Sequence, residues 1–256
     1  MTSSLRMTPF FLVAIVALCL GGTASDARTG DDDDEIPFDV AKIFIALNDT
    51  DEDLGIAAFI DGEGWRKLII YDADEERILT LRVTGRLRQQ GLTEFAIESR
   101  EPGFDELSPA TFFRRFPEGE YEVEGITLDG QTLEGEVELS HVLPAPPSDL
   151  RVSGRVAPED CDEDPIPTIR GPVEISWEPV TGSHPDIGKS GDVDIVEYEV
   201  VVESEDLVFS VRLLPLVTSV EIPEAFIEQA DEFSVEILVT AANGNRTATE
   251  SCFEVD

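Results

Sequence analysis

Short segments in which apolar and acidic residues alternate constrain the fold of this chain more than any other feature. In residues 121–126 tyrosine and valine alternate with glutamate, and residues 133–142 repeat the pattern with leucine and valine. Successive side chains of a β-strand point to opposite faces, so each segment has one apolar face and one acidic face. The pattern predicts antiparallel sheets with one face on a core and the other in water.

Seven segments of this texture occupy residues 38–143, separated by Gly, Asp, Asn and Pro. An immunoglobulin-like sandwich has about seven strands in about 100 residues, so the count predicts such a sandwich here. Asp129-Gly130, between two alternating segments, predicts a tight hairpin. The predicted strands are 40–47, 55–60, 65–71, 77–83, 92–98, 121–126 and 133–142.

One segment of this half does not alternate. Residues 104–116 place Leu and Phe at mixed spacing, with Ser108 able to cap a helix and Pro109 suited to its first position. This predicts a short helix near 104–116. Tyr121 then opens a strand after a Pro-containing turn, as does the tyrosine corner of immunoglobulin-like folds, in which the hydroxyl bonds to upstream backbone.

The first 25 residues predict an export signal. Arg6 is the only charge before Asp26, residues 10–20 are apolar, and small residues follow at 21–25. The apolar stretch is shorter than the roughly 20 residues of a transmembrane helix. Residues 26–37 are polar and acidic, which predicts a disordered leader. We therefore expect a secreted or periplasmic protein with no membrane insertion.

The net charge of −37 comes from 55 acidic and 18 basic residues and is spread over both halves. Such a chain repels nucleic acid and anionic membranes, which leaves cations, basic proteins or neutral glycans as partners. The same charge also suits a protein adapted to a salty or cation-rich medium, where charge is screened. Basic residues concentrate in 66–115. Arg82, Arg86 and Arg88 could form a local binding patch or offset neighbouring acids.

Six segments of the second half follow one another in a recognisable order: 147–152, 173–179, 196–202, 218–223, 233–245 and 247–255. Together they resemble the strands of a fibronectin type III domain. The resemblance implies an immunoglobulin-like sandwich with Trp177 as its core tryptophan. Phe233 stands where the family has its corner tyrosine, and residues 153–171 form an insertion.

Three prolines in residues 143–147 predict a stiff, extended connector. We therefore expect an all-β protein of two tandem immunoglobulin-like or fibronectin III-like antiparallel β-sandwiches, the first with the short helix. The predicted boundaries are signal peptide 1–25, disordered acidic leader 26–37, sandwich 38–143, Pro-rich linker 144–147 and fibronectin type III-like domain 148–256.

Two cysteines, Cys161 and Cys252, remain after the predicted cleavage. An even count in an exported protein favours one disulfide over two free thiols. The resemblance places Cys252 on the last strand, beside the first, so that a bond to Cys161 would tie the insertion to the edge of the sheet. Closing so long a loop contributes about 4 kcal/mol by loop entropy.

The motifs of common catalytic sites are missing from the sequence. The two histidines have no zinc-ligand spacing, and no Gly-x-Ser-x-Gly is present. Gly188-Lys189-Ser190 lacks the glycine spacing of a phosphate loop. Asp49, Asp51 and Asp53 are spaced like the first ligands of a calcium loop, although the later EF-hand positions do not match. The alternative for them is an acidic hairpin loop.

These observations predict an exported, non-enzymatic binding or spacer protein whose partner is a protein or glycan, with no cofactor unless calcium binds the acidic loops. One alternative is a glycan-associated accessory or adhesion module that uses exposed aromatics such as Trp65 and Tyr71. Another is a small calcium-dependent hydrolase that uses loop carboxylates.

Overall fold

The computed structural model describes residues 35–159, 161 and 165–256. The predicted signal peptide and most of the predicted leader lie outside these residues. The alternating segments form strands as predicted, and the protein is all-β with three short helices in its described part. The first-half elements are β1 (Ile36–Pro37), β2 (Val40–Asn48), β3 (Asp53–Tyr71), β4 (Arg77–Arg82), α1 (Leu87–Gln90), β5 (Leu92–Glu98), α2 (Pro109–Arg115), β6 (Gly119–Thr127) and β7 (Thr132–Leu139).

The second-half elements follow in chain order after the predicted linker. They are β8 (Ser148–Val152), β9 (Arg155–Val156), β10 (Thr168–Ile169), β11 (Val173–Glu178), β12 (Ile195–Glu203), β13 (Val208–Leu213), β14 (Ser219–Ile222), α3 (Glu224–Ile227), β15 (Glu232–Ala241) and β16 (Arg246–Val255).

The first half is built around one long, bent strand. Two strands predicted at 55–60 and 65–71 are both part of β3, whose pairing is irregular between Asp61 and Trp65. Gly62 and Gly64 lie in this irregular stretch, where missing side chains allow a strand to bend. The first part of β3 pairs with β2 and β5, and the second part with β4 and β6. One strand therefore serves both layers of the sandwich.

The predicted helix and tyrosine corner are both present. Ser108 precedes α2 and Pro109 is its first residue, although the Ser108 hydroxyl contacts Thr111 Oγ1 at 3.0 Å instead of a backbone N–H. Tyr121 is fully buried, and its hydroxyl donates to the carbonyl of Pro117 at 3.0 Å. The corner thus anchors the start of β6 to the turn that precedes it.

The second half is an immunoglobulin-like sandwich. One layer has the strand order β14-β11-β8-β9, and the other runs through β16, β15, β12 and β13. Trp177 is buried between the layers, with its ring centroid 5.3 Å from that of Tyr198. Phe233, which lacks the hydroxyl of a corner tyrosine, is buried and stacks on Phe253 at 5.2 Å.

The two halves share a sheet, which the sequence did not predict. Residues 246–248 of β16 pair in parallel with residues 46–48 of β2, a junction that we call the seam. Across it the Asp49 N–H donates to the Ala248 carbonyl at 3.0 Å. Thr247 lies opposite Leu47, so both hydrophobic cores lie on one side of this sheet. The opposite side is called the outer face.

The predicted linker lies against β16 throughout its length. Leu143 is fully buried, Thr247 Oγ1 donates to the Pro144 carbonyl at 2.7 Å, and Thr249 Oγ1 donates to the Pro147 carbonyl at 3.0 Å. The two hydrophobic clusters divide near this segment, one before it and one after it. The domain boundaries stay a prediction, but the connector is a packed part of the fold and does not separate the halves.

Two further predictions concern the cysteines and the start of the strand structure. Cys161 and Cys252 form the disulfide, across a separation of 91 residues. Cys252 pairs with Ser234 of β15 and lies between the stretches in which β16 pairs with β2, at residues 246–248, and with β10, at residues 254–255. At the other end, Ile36–Pro37 pairs with β7, so strand structure begins within the last two residues of the predicted leader. No helix in the described residues is long and apolar enough to cross a membrane.

Candidate functional site: acidic residues at the seam

Carboxylates from both halves gather on the outer face beside the seam. Strand pairing brings them there, because Asp53 lies opposite Asn48 in the β2–β3 hairpin and Glu250 lies opposite Glu236 in β15–β16. Asp51 and Glu98 form the exposed rim of the group, and the other four are at least partly buried. We name six residues the seam cluster: Asp51, Asp53, Glu98, Glu101, Glu236 and Glu250.

Asp53 is the most enclosed residue of the cluster. It is only 7% exposed, and its Oδ1 atom has no hydrogen-bond partner in the described residues. Burial, reinforced by the charges of Asp51 and Glu98, raises the pKa of Asp53 to about 6. A carboxylate taken out of water beside like charges favours its protonated form, and this outweighs the hydrogen bond with the Asn48 backbone.

Glu101 folds back onto the sheet above a glycine. A Cβ atom at Gly55 would lie 2.5 Å from Glu101 Oε1, so only glycine leaves room for this carboxylate. Burial and the charges of Asp53, Glu98 and Asp51 raise the pKa of Glu101 to about 8. Glu101 therefore holds a proton at neutral pH.

The second half contributes Glu250 and Glu236. Asn48 Nδ2 donates to Glu250 Oε1 at 2.7 Å, and the Glu250 N–H donates to Thr50 Oγ1 at 2.9 Å. Burial and the charge of Asp51 raise the pKa of Glu250 to about 7 against this hydrogen bond. Glu236 Oε1 is buried without a partner, and burial together with the charge of Glu250 raises its pKa well above the ordinary value.

Arg246 is the cation placed nearest the seam. Its guanidinium lies 4.8 Å from the ring centroid of Phe44, and its Nε atom is buried without a hydrogen-bond partner. Burial lowers the pKa of Arg246, and no described carboxylate lies within ion-pair distance of it. Protons, rather than ion pairs, therefore offset part of the negative charge of the cluster near neutral pH. Chemically the cluster can take up and release protons near neutral pH.

The three predicted calcium residues separate in the structure. Asp51 and Asp53 join the seam cluster, whereas Asp49 Oδ1 lies 2.8 Å from Nε2 of the buried His184. His184 Nδ1 accepts the N–H groups of Asp186 and Ile187, so its proton lies on Nε2 and is donated to Asp49. In the described part of the chain no three His, Cys, Asp or Glu side chains are placed to hold a metal ion. The calcium site stays a prediction.

A buried asparagine connects the two halves. Asn245 is fully buried, and its Oδ1 accepts the Ile45 N–H at 2.9 Å. Its Nδ2 donates to the carbonyls of Ser140 at 2.7 Å and Val142 at 3.0 Å, at the end of the first half. No local sequence signal identifies this residue, because its side-chain partners lie more than 100 residues away.

The aromatic residues proposed for glycan contact are not both accessible. Trp65 is fully buried in the first core, so its predicted role on a glycan-binding surface is wrong. Trp65 is buried because β3 is covered on both of its faces. Tyr71 is half-buried and has the Arg77 guanidinium 5.8 Å from its ring centroid.

No protein-family profile matches the chain, and no curated protein matches it. The solved structures that are similar to it include three adhesion or fibronectin-type proteins. A 1.5-MDa bacterial ice-binding adhesin is 13% identical with a TM-score of 0.25, covering 87% of this chain and 66% of that one. The FN1–FN3 domains of chicken CNTN1 are 10% identical with a TM-score of 0.31, covering 86% and 65%. A tetra-tandem repeat from the extending region of a large adhesion protein is 11% identical with a TM-score of 0.28, covering 85% and 50%.

The chain therefore spans half to about two thirds of the length of these structures. The assignment of the fold rests on the strand pairing and the two cores described above.

Proposed function

We propose that the protein is an exported, non-enzymatic binding or spacer module in which two sandwiches act as one rigid body. The seam is the observation that carries this proposal. Backbone pairing between β2 and β16 makes one sheet of both halves, and all described residues fall in one compact unit. A module that holds its two ends in a fixed relation needs such a junction, whereas a flexible connector would let the halves reorient.

Hydrogen bonds between side chains on both sides of the seam also support a rigid junction. Asn245 bonds to Ile45 of β2, Asn48 bonds to Glu250, and His184 bonds to Asp49. Each bond joins residues more than 100 positions apart, and each has a partner that is buried or partly buried. Hydrogen bonds of this kind contribute about 1 kcal/mol apiece, and losing one leaves a costly orphaned group. Reorientation of the halves would break all of them together.

The disulfide supports export. Cys161 and Cys252 form a disulfide. Disulfides persist in oxidising compartments and are rare in the cytosol. With the acidic surface, this favours a secreted or periplasmic module whose partner is a protein or a glycan. The seam cluster sits in the junction and not in an enclosed cleft, which favours a structural role for its carboxylates over acid–base catalysis.

Differential scanning calorimetry of the mature protein tests the proposal. One rigid body predicts a single transition, with equal calorimetric and van't Hoff enthalpies. Limited proteolysis is expected to spare residues 143–148 under native conditions, because this segment is packed. Two separate transitions, or cleavage in this segment that releases two folded halves, would show that the halves are independent and overturn the proposal.

A further inference from the structure

Nine of the ten basic side chains of the first half form no ion pair in the described part of the chain, and five of these nine lie near one another. The five are Arg66, Lys67, Arg82, Arg86 and Arg88. The sequence left open whether the last three offset neighbouring acids or form a binding patch. Among the described residues none of the five donates a hydrogen bond to a carboxylate, so direct pairing with acids does not account for them.

The fold places these residues close together. Lys67 of β3 lies directly opposite Arg82 of β4, and like charges in opposite positions of a sheet cost free energy. The next residue, Val83, donates its N–H to the Arg66 carbonyl at 2.9 Å, which directs the chain toward α1. Arg86 precedes α1 and Arg88 lies within it.

A cavity of about 550 Å³ opens between these elements and is lined by Arg66, Gly85, Arg88, Gln89 and Leu128. None of its lining residues is acidic. Leu128, at the β6–β7 turn, is 37% exposed and offers an apolar surface beside the two guanidinium groups. Asp129 follows it in the turn and forms no ion pair with either arginine. The cavity is shallow and open to solvent, so it suits one charged group of a larger ligand.

We propose that this cavity, the basic pocket, binds the sulfate or carboxylate group of a short acidic oligosaccharide. Arginine presents a planar fork that bonds both oxygens of such groups, and Leu128 can pack against a sugar ring. A long polyanion would meet repulsion from the acidic body outside the pocket, which favours a short ligand over nucleic acid. The proposal goes beyond the rigid module and does not depend on it.

Isothermal titration calorimetry at low salt tests the pocket with four probes. They are a sulfated tetrasaccharide, a polyuronic tetrasaccharide, a neutral tetrasaccharide and a single-stranded oligonucleotide. We expect binding of at least one acidic oligosaccharide, weakened by added salt, and no binding of the neutral sugar. The test variant is Arg66→Gln with Arg88→Gln, and the matched control is Arg114→Gln with Arg115→Gln, which removes the same charge from exposed α2 positions.

The test variant is expected to weaken binding by about tenfold or more, and the control by less than about twofold. Equal weakening in both variants would show non-specific attraction and overturn the proposal. Absence of binding to both acidic sugars, or tighter binding of the oligonucleotide, would also overturn it. Thermal melts of both variants confirm folding, and Arg88→Gln alone, at an exposed position, repeats the test if the double variant is unfolded. The single calorimetric transition is expected whatever the pocket binds, so the two proposals fail separately.

Discussion

Asn245 Oδ1 accepts the backbone N–H of Ile45 at 2.9 Å, although the two residues are 200 positions apart. This bond joins the turn between β15 and β16 to the middle of β2, at the start of the seam. The amide nitrogen of the same side chain bonds to two carbonyls at the end of the first half. One fully buried amide therefore joins the second half to β2 and to the end of the first half.

Replacing this amide should destabilise the whole protein. We expect Asn245→Ala to lower the free energy of unfolding by about 2–4 kcal/mol, because it orphans one buried N–H and removes the side-chain donor from the Ser140 carbonyl. Urea unfolding of the two proteins measures the difference. Asn243→Ala is the matched control, since Asn243 is exposed and bonds to the same Val142 carbonyl. Its expected loss is below about 1 kcal/mol. Equal losses would show that burial at the seam is unimportant.

Stability should fall as the pH rises through the neutral range. The pKa values of Asp53, Glu250 and Glu101 are raised to about 6, 7 and 8 in the folded protein, whereas carboxyls of an unfolded chain titrate near 4. The folded state thus binds protons that the unfolded state has lost, and this contribution decreases progressively from about pH 4 until it is gone above about pH 8. Melting temperatures measured from pH 5 to pH 9 should decrease. A melting temperature that rises over this range contradicts the assignment.

Glu101→Gln separates this effect from other titrations. Glutamine keeps the shape and stays neutral, so the variant should lose much of the decrease in melting temperature between pH 7 and pH 9. Glu94→Gln is the control, because Glu94 is exposed on β5. It should follow the wild-type profile. Identical profiles for wild type and Glu101→Gln would show that Glu101 does not hold a proton near neutral pH.

Salt should stabilise the β6–β7 hairpin. Three pairs of glutamates lie directly opposite each other on it, among them Glu122 with Glu136, and like charges in these positions repel. Glu136→Lys should raise the free energy of unfolding by about 0.5–1 kcal/mol at low salt, with a smaller gain for Glu136→Gln. The advantage should shrink in 1 M salt, where the screening length is about 3 Å. Lower stability for the lysine variant would contradict the repulsion.

The sequence predicted the strands well and the junction not at all. Alternation located β5 at its observed bounds, and Tyr121 and Trp177 occupy the core roles expected of them. These signals are local, because strand period and corner chemistry are contained within a few residues. Parallel pairing between β2 and β16 leaves no such local trace. From the sequence alone, Glu236 is predicted to be one of the solvated residues of an alternating strand. The β2–β16 pairing brings acids of the first half next to it, and it becomes part of a buried cluster.

The disulfide should be a large part of the stability of the second half. It joins Cys161 to Cys252 across 91 residues, and closing a loop of that length contributes about 4 kcal/mol by loop entropy. We expect Cys161→Ser with Cys252→Ala to lower the free energy of unfolding by up to about this amount in urea, with the seam and its single transition retained. Adding a reductant should destabilise the wild type and leave the double variant unchanged. If reductant affects both proteins equally, the loss does not come from this bond.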